Sequence, residues 1–255
     1  MLPDILTIGP LTMHSYGLML AIAFLAATGV IQHLAKPRGM DADKILDFSL
    51  VAMVAAIIGS RAFYVLSHLS EYRANYWSML AVWEGGLTFY GGVLLAVPAA
   101  IIFMRRRKLP LWPLADLVAP AFALGVGFGR LGCFLNGCCF GKPSSLPWAM
   151  RFPVNSAAGA MNCALQPTQL YESLFGFALF ALLMYLVRKK FFPGFLFCLF
   201  IATYSVWRFF LDFFRYYEAS QFTVLGLTNN QWVSIFLLAG SAVTAVVLYK
   251  KQIAP

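Results

Sequence analysis

The sequence predicts an all-α integral membrane protein of seven transmembrane helices, with the N-terminus outside and the C-terminus cytoplasmic. Composition predicts the membrane: 61% of the 255 residues are hydrophobic and only 11% are charged, against roughly 25% charged in soluble domains. Spacing predicts the count, because a bilayer-spanning helix takes about 20 mostly apolar residues and seven runs of about that length fill the chain. No separate soluble domain fits, so residues 1–255 read as a single membrane domain.

The spans are expected at about His14–Leu34, Ile45–Ser67, Leu87–Met104, Leu114–Gly129, Gln169–Val187, Gly194–Phe214 and Trp232–Tyr249. Basic clusters end alternate spans: Lys36, Arg38 and Lys44; Arg105, Arg106, Arg107 and Lys108; Arg188, Lys189 and Lys190; Lys250 and Lys251. The opposite loops hold only Arg73, Lys142 and Arg151. Basic residues stay on the cytoplasmic side, which sets the orientation and also explains the net charge of +9 without nucleic acid. About ten residues precede the first apolar run and no small-residue cleavage motif follows it, so that span is expected to be an uncleaved anchor. The polar connection 141–166 is a candidate for a small outer head.

Arg61, Arg130, Arg208 and Arg215 belong to neither set of loop residues, and lie at or near the outer ends of spans two, four and six. Each alone could be a snorkelling anchor; together they bring cations to one depth on one side. On span six, Arg208, Asp212 and Arg215 stand at i, i+4 and i+7 and share a helix face, so Asp212 can pair with either arginine. Guanidinium is the fork that binds phosphate bidentately, which points to a phosphate-bearing ligand such as a phospholipid headgroup.

Glycines 125, 127, 129 and 132 run into GRLGCFLNGCCFGKP at 129–143, and Gly85-Gly86 and Gly91-Gly92 flank Tyr90. Small residues permit close helix packing or close approach of a ligand to the backbone, and both readings stay open. Gln169, Tyr171 and Glu172 open span five after Pro167, while His14, Tyr16 and Gly17 open span one, again outside.

These segments together resemble the prolipoprotein diacylglyceryl transferases: GPLTMHSYGLM at 9–19, GSRAFYVL at 59–66, EGGLTFYGG at 84–92, GRLGCFLNGCCFGKP at 129–143, QPTQLYE at 166–172 and YSVWRFFLDFFR at 204–215. The resemblance runs over essentially the full length. It implies an enzyme of the bacterial inner membrane, with its site towards the periplasm and its N-terminus periplasmic. Such an enzyme moves the diacylglyceryl group of phosphatidylglycerol to the lipobox cysteine of a prolipoprotein signal peptide, with no cofactor and no metal. Its partners would be phosphatidylglycerol, that signal peptide and the surrounding membrane lipid, and no nucleic acid.

Carried onto this chain, the resemblance implies that Arg130 and Arg208 bind or polarise the phosphate, with Tyr16, Asn136 and Gly141 on motif positions. Tyr90, with His14 or Asp212, would organise the thiol, while Arg61, Gly91, Gly92, Gln169, Tyr171 and Glu172 join the lipid-binding set. Four positions depart from what many members carry: Tyr90 in place of histidine, Cys133 of asparagine, Cys138 of glutamate and Asp212 of glutamate. A tyrosine of pKa near 10 is a poor base at neutral pH unless cations lower it, whereas a cysteine near 8.5 already ionises slightly.

Five cysteines, Cys133, Cys138, Cys139, Cys163 and Cys198, form no CxxC pair. Cys138 or Cys139 could pair with Cys133 or Cys163, or a thiol could attack lipid; four zinc ligands at zinc spacing are not evident. Two other functions use the same features: a transporter for an anionic solute, disfavoured by charge at one face and no inverted repeat, and a membrane thiol oxidoreductase. A seven-helix photoreceptor would need a lysine in span seven.

Overall fold

The computed structural model describes residues 4–8, 11–72, 75–82, 85–217 and 224–253. Arg73 and Glu84 lie outside the described residues. An antiparallel hairpin, β1 (Asp4–Ile8) and β2 (Leu11–His14), precedes the helices. These are α1 (Ser15–Ala35), α2 (Ala42–Ser67), α3 (Phe89–Arg106), α4 (Leu111–Asn136), α5 (Thr168–Leu186), α6 (Phe195–Leu211) and α7 (Asn229–Ile253).

Among the described residues, six helices are long and apolar enough to cross a membrane, and α6, at 17 residues, is shorter. The helical membrane class therefore stands, with a small hairpin added. Large apolar side chains point outward, such as Leu25 at 69% and Leu174 at 72% exposure, a surface suited to lipid rather than water.

Two spans differ from their expected limits. Helix α4 continues seven residues past Gly129 to Asn136, so Arg130 and Cys133 are helical; without competing water, glycines do not interrupt a membrane helix. Helix α6 stops at Leu211, short of Phe214, because the chain turns there and the Phe214 carbonyl accepts from the Lys142 amide at 2.9 Å.

The chain forms two compact units, Met1–Ile31 with Ala115–Pro255, and Gln32–Leu114. In the second unit, α2 starts at Asp41, whose side chain accepts from the Asp43 amide at 2.9 Å and caps the helix. Helices α2 and α3 meet through glycines. A Cβ on Gly91 would collide with the Phe63 Cβ, and one on Gly92 would lie 2.5 Å from the Ser60 Oγ. Packing, not a lipid headgroup, fills the space that the sequence assigned to Gly91 and Gly92.

Arg61 is likewise committed. Its guanidinium donates to the carbonyls of Met79 at 3.0 Å, Gly85 at 2.5 Å, Gly86 at 3.3 Å and Ser78, and it lies over the rings of Tyr64 and Tyr72. Buried at 6% exposure, Arg61 gathers loop carbonyls that would otherwise lack donors, which replaces its expected phosphate role.

In the first unit, a Cβ on Gly176 of α5 would lie 2.7 Å from the Gly127 amide nitrogen of α4, and Ser173 donates to the Gly127 carbonyl at 2.8 Å. The glycine stripe therefore splits: Gly127 serves helix packing, while a Cβ on Gly125 or Gly129 would meet nothing within 4 Å. At the opposite end of α4, Asp116 accepts from the amides of Gly194 at 2.7 Å and Phe197 at 3.0 Å, capping α6 from a neighbouring helix. Replacing a capping side chain by alanine costs about 1 kcal/mol. Asp116→Ala is accordingly expected to lower the melting temperature of the detergent-solubilised protein while leaving substrate affinity unchanged.

Candidate active site

The first unit brings the C-terminal ends of α4 and α6 to the N-terminal ends of α1, α5 and α7. N-terminal helix ends carry partial positive charge and unpaired amides, which favours anions. Two buried arginine–carboxylate pairs organise the place.

The first pair joins α4 to α5. Arg130 Nε lies 2.9 Å from Glu172 Oε2, and the other carboxylate oxygen accepts from the Tyr204 hydroxyl of α6 at 2.8 Å. Glu172 is 1% exposed, so an unpaired charge there would be costly. Its carboxylate orients Arg130. The ion pair closes through Nε, and the hydrogen bond of a terminal nitrogen among the described residues is the long one from Nη1 to Cys133 Sγ at 4.0 Å. The fork therefore retains its bidentate edge for a ligand.

The second pair lies at the end of α6, one turn apart, and is tied to the start of α7 by hydrogen bonds. Arg208 Nη1 lies 2.7 Å from Asp212 Oδ1, and Nη2 donates to the Tyr217 hydroxyl at 3.0 Å. Tyr217 in turn donates to Asp212 Oδ1 at 2.9 Å and accepts from Asn230 at 3.0 Å. Asp212 Oδ2 accepts from Thr228 Oγ1 at 2.5 Å. Thr228 and Gln231 exchange hydrogen bonds of 2.9 and 3.1 Å, a capping box that starts α7. Asp212 is thus saturated and positions Arg208; the expectation that it serves the thiol gives way to this role. Burial raises the pKa of Tyr217, which keeps its hydroxyl a donor to Asp212.

The signature block closes α4. Gly137, at φ 68°, takes the left-handed conformation that ends a helix; its amide bonds to the Phe134 carbonyl at 3.2 Å and the Cys138 amide to the Cys133 carbonyl at 3.1 Å. This is a Schellman cap, which sets the residue after the glycine against the one five positions earlier. Here that contact is Cys138 against Cys133. Cys139 follows at φ 60°, a strained conformation for a residue with a side chain, and the Sγ atoms of Cys133, Cys138 and Cys139 all lie within 4.8 Å of one another. Hydrogen bonds from Cys133 and Cys138, with Arg215 and Arg130 nearby, lower the pKa of Cys139.

Gln169 donates to the Cys138 carbonyl at 2.7 Å and Thr168 to the Cys139 carbonyl at 3.1 Å, fixing this loop on the start of α5. Gln169 therefore holds the loop. Tyr171 accepts from Trp148 Nε1 at 2.7 Å and ties the 141–166 segment down; that segment has its own apolar cluster of Phe152, Ala158 and Leu165. Gly141 lies where a Cβ would be 2.8 Å from both the Gln166 and Phe214 carbonyl oxygens, so backbone contact demands it. Asn136 ends α4 beside the cap. Tyr16, 39% exposed, opens α1, and a Cβ on Gly132 would meet its ring at 3.2 Å.

His14 ends β2 and is exposed, while Tyr90 begins α3 in the second unit with its ring 5.9 Å from that of Phe89. All five cysteines are free thiols in the structure, the reduced alternative of the two that the sequence left open for Cys138 and Cys139.

Tyr204, Tyr217, Thr228 and Asn230 escaped the sequence reading. Tyr204 was within reach, since it extends the Arg208 and Asp212 stripe by one turn. The others lie across a connection whose path the helix period does not reveal.

Comparison with known proteins decides the family. The family described as prolipoprotein diacylglyceryl transferase matches residues 3–247. The chain belongs to the prolipoprotein diacylglyceryl transferase family. Relatives named phosphatidylglycerol–prolipoprotein diacylglyceryl transferase include one from Trichormus variabilis, 36% identical over 221 residues covering 84% of this chain and 78% of the relative. One from Geobacter sulfurreducens is 33% identical over 258 residues, covering 99% and 97%. One from Bordetella avium is 34% identical over 259 residues, covering 98% and 96%.

Proposed function

We infer that the protein transfers the diacylglyceryl group of phosphatidylglycerol to the cysteine thiol of a prolipoprotein lipobox, making a thioether and releasing glycerol phosphate. The observation that carries this reading is Arg130. Its Nε is held by Glu172 at 2.9 Å, and its terminal nitrogen Nη1 makes no closer polar contact than 4.0 Å to Cys133 Sγ among the hydrogen bonds of the described residues, a disposition suited to gripping a phosphate.

The thiolate sulfur attacks the glyceryl carbon, the C–S bond forms, and the C–O bond to phosphate breaks. Negative charge then grows on the leaving phosphate. Arg130, fixed by Glu172 and Tyr204, meets it without reorganising. Arg208, held by Asp212 and Tyr217, supplies a second cation with three N–H groups still undrawn by those two partners. Tyr16 and Asn136 line the same end, and Tyr90 and His14 are assigned to orienting the thiol on motif position.

The alternation of basic clusters supports seven spans, a periplasmic N-terminus and a cytoplasmic C-terminus. That orientation puts Arg130, Arg208 and Glu172 at the periplasmic face of the inner membrane and Asp116 at the other. The 141–166 segment then stands outside, where it would meet the prolipoprotein.

The test uses purified protein in phosphatidylglycerol vesicles with a lipobox peptide. The peptide is expected to gain the mass of one diacylglyceryl group, and a peptide with serine in place of the acceptor cysteine to gain none. Uptake of an anionic solute without peptide lipidation would favour a transporter instead.

A further inference from the structure

The three thiols at the end of α4 have no part in holding phosphate. Their grouping is not an accident of packing, because three separate devices produce it. Gly137 makes the cap that sets Cys138 against Cys133. Cys139 takes a left-handed φ of 60° to turn its own sulfur the same way, and strain of this kind on a residue other than glycine clusters at ligand clamps. Thr168 and Gln169 then pin the carbonyls of Cys139 and Cys138.

All three sulfurs lie within 4.8 Å of one another. Zinc–sulfur bonds of about 2.3 Å at tetrahedral angles need sulfurs about 3.8 Å apart, so each would move by no more than about 0.6 Å. Among the described residues no fourth histidine, cysteine or carboxylate joins the group. Three protein ligands with one position open is the arrangement of a zinc ion that acts on a substrate, whereas a purely structural ion takes four. Three thiolates around a divalent ion leave one negative charge, and Arg130 Nη1 stands 4.0 Å from Cys133 Sγ to balance it.

We propose that Cys133, Cys138 and Cys139 bind one zinc ion whose fourth position takes the acceptor thiol of the peptide substrate. The fourth-ligand role rests on the transfer reaction proposed above; the three-thiolate site does not. A thiol that coordinates zinc is deprotonated outright, so the metal supplies in this chain the thiolate that a general base would otherwise make. The acceptor S–H proton passes to water as the S–Zn bond forms. That sulfur then attacks the glyceryl carbon, the C–O bond to phosphate breaks, and its electron pair leaves with glycerol phosphate against Arg130. The neutral thioether is a poor ligand and departs.

The experiment uses the reduced, chelator-stripped full chain in detergent, titrated with zinc against a competing chelator and, separately, with cobalt(II). One ion per chain is expected, with a near-ultraviolet cobalt charge-transfer band of three-thiolate intensity that rises by about a third when lipobox peptide is added. Cys133→Ser, Cys138→Ser and Cys139→Ser should each weaken zinc by more than about 100-fold, and Cys163→Ser should not. A wild-type chain that retains no zinc, or a cobalt band with no thiolate character, overturns the site whatever the variants do. A band unmoved by peptide, or full lipid transfer by metal-free protein, overturns the fourth-ligand role. One zinc per chain and a peptide-sensitive band without lipid transfer would uphold the site and sink the transferase reading alone.

Discussion

Arg130→Ala is expected to lower kcat/KM for peptide lipidation by about 100- to 1000-fold, the usual cost of removing a donor aimed at developing negative charge. Two effects overlap in that variant, because Glu172 also loses its partner while 1% exposed. Arg130→Lys separates them. A lysine keeps a cation beside Glu172, so the melting temperature should return most of the way to wild type. It lacks the planar fork that binds phosphate through two parallel bonds, so the rate should stay low. Steady-state kinetics and thermal unfolding on the same three proteins check this. Recovery of the rate with lysine would mean that Arg130 acts as a point charge and that its geometry towards Glu172 is incidental.

Asp212→Ala is expected to have the largest effect on stability. Arg208 is 8% exposed and would lose its carboxylate, and Thr228 and Tyr217 would lose their acceptor together. Removing one partner of a buried pair costs about 3 to 5 kcal/mol, chiefly because the other charge stays buried alone. The start of α7 should loosen as well, since Thr228 both caps that helix and donates to Asp212. The double replacement Arg208→Leu with Asp212→Leu should regain much of the stability without regaining activity. Unfolding followed by tryptophan fluorescence reads both, and a double variant as unstable as Asp212→Ala would show that the pair is not the source of the loss.

Much of this fold was legible from hydropathy alone, because a helix in lipid must satisfy its backbone internally and so declares itself as an apolar run. The limits of α4 and α6 were not. Glycine is a reliable terminator in water and not in a bilayer, which hid Arg130 inside α4; the end of α6 was set by a long-range bond from Lys142 to Phe214. The site was half legible. Arg208 and Asp212 announced themselves by helical spacing, while the pairing of Arg130 with Glu172 joins residues 42 positions apart on different helices. Arg61, Gly91 and Gly92 share motif character with the site residues, yet packing consumes them, and no feature of the sequence separates a glycine that admits a helix from one that admits a ligand. The cysteines are the clearest case. C-x4-C-C has no familiar ligand spacing, and only the left-handed turns at Gly137 and Cys139 bring the sulfurs together.

The most direct measurement follows both halves of one phosphatidylglycerol molecule. With one label in the diacylglyceryl group and another in the glycerol phosphate, purified protein and a lipobox peptide should yield one released glycerol phosphate for each lipidated peptide. Glycerol phosphate release with no lipid on the peptide, or no release at all in the presence of both substrates, would contradict the assignment of this chain as a transferase acting through Arg130.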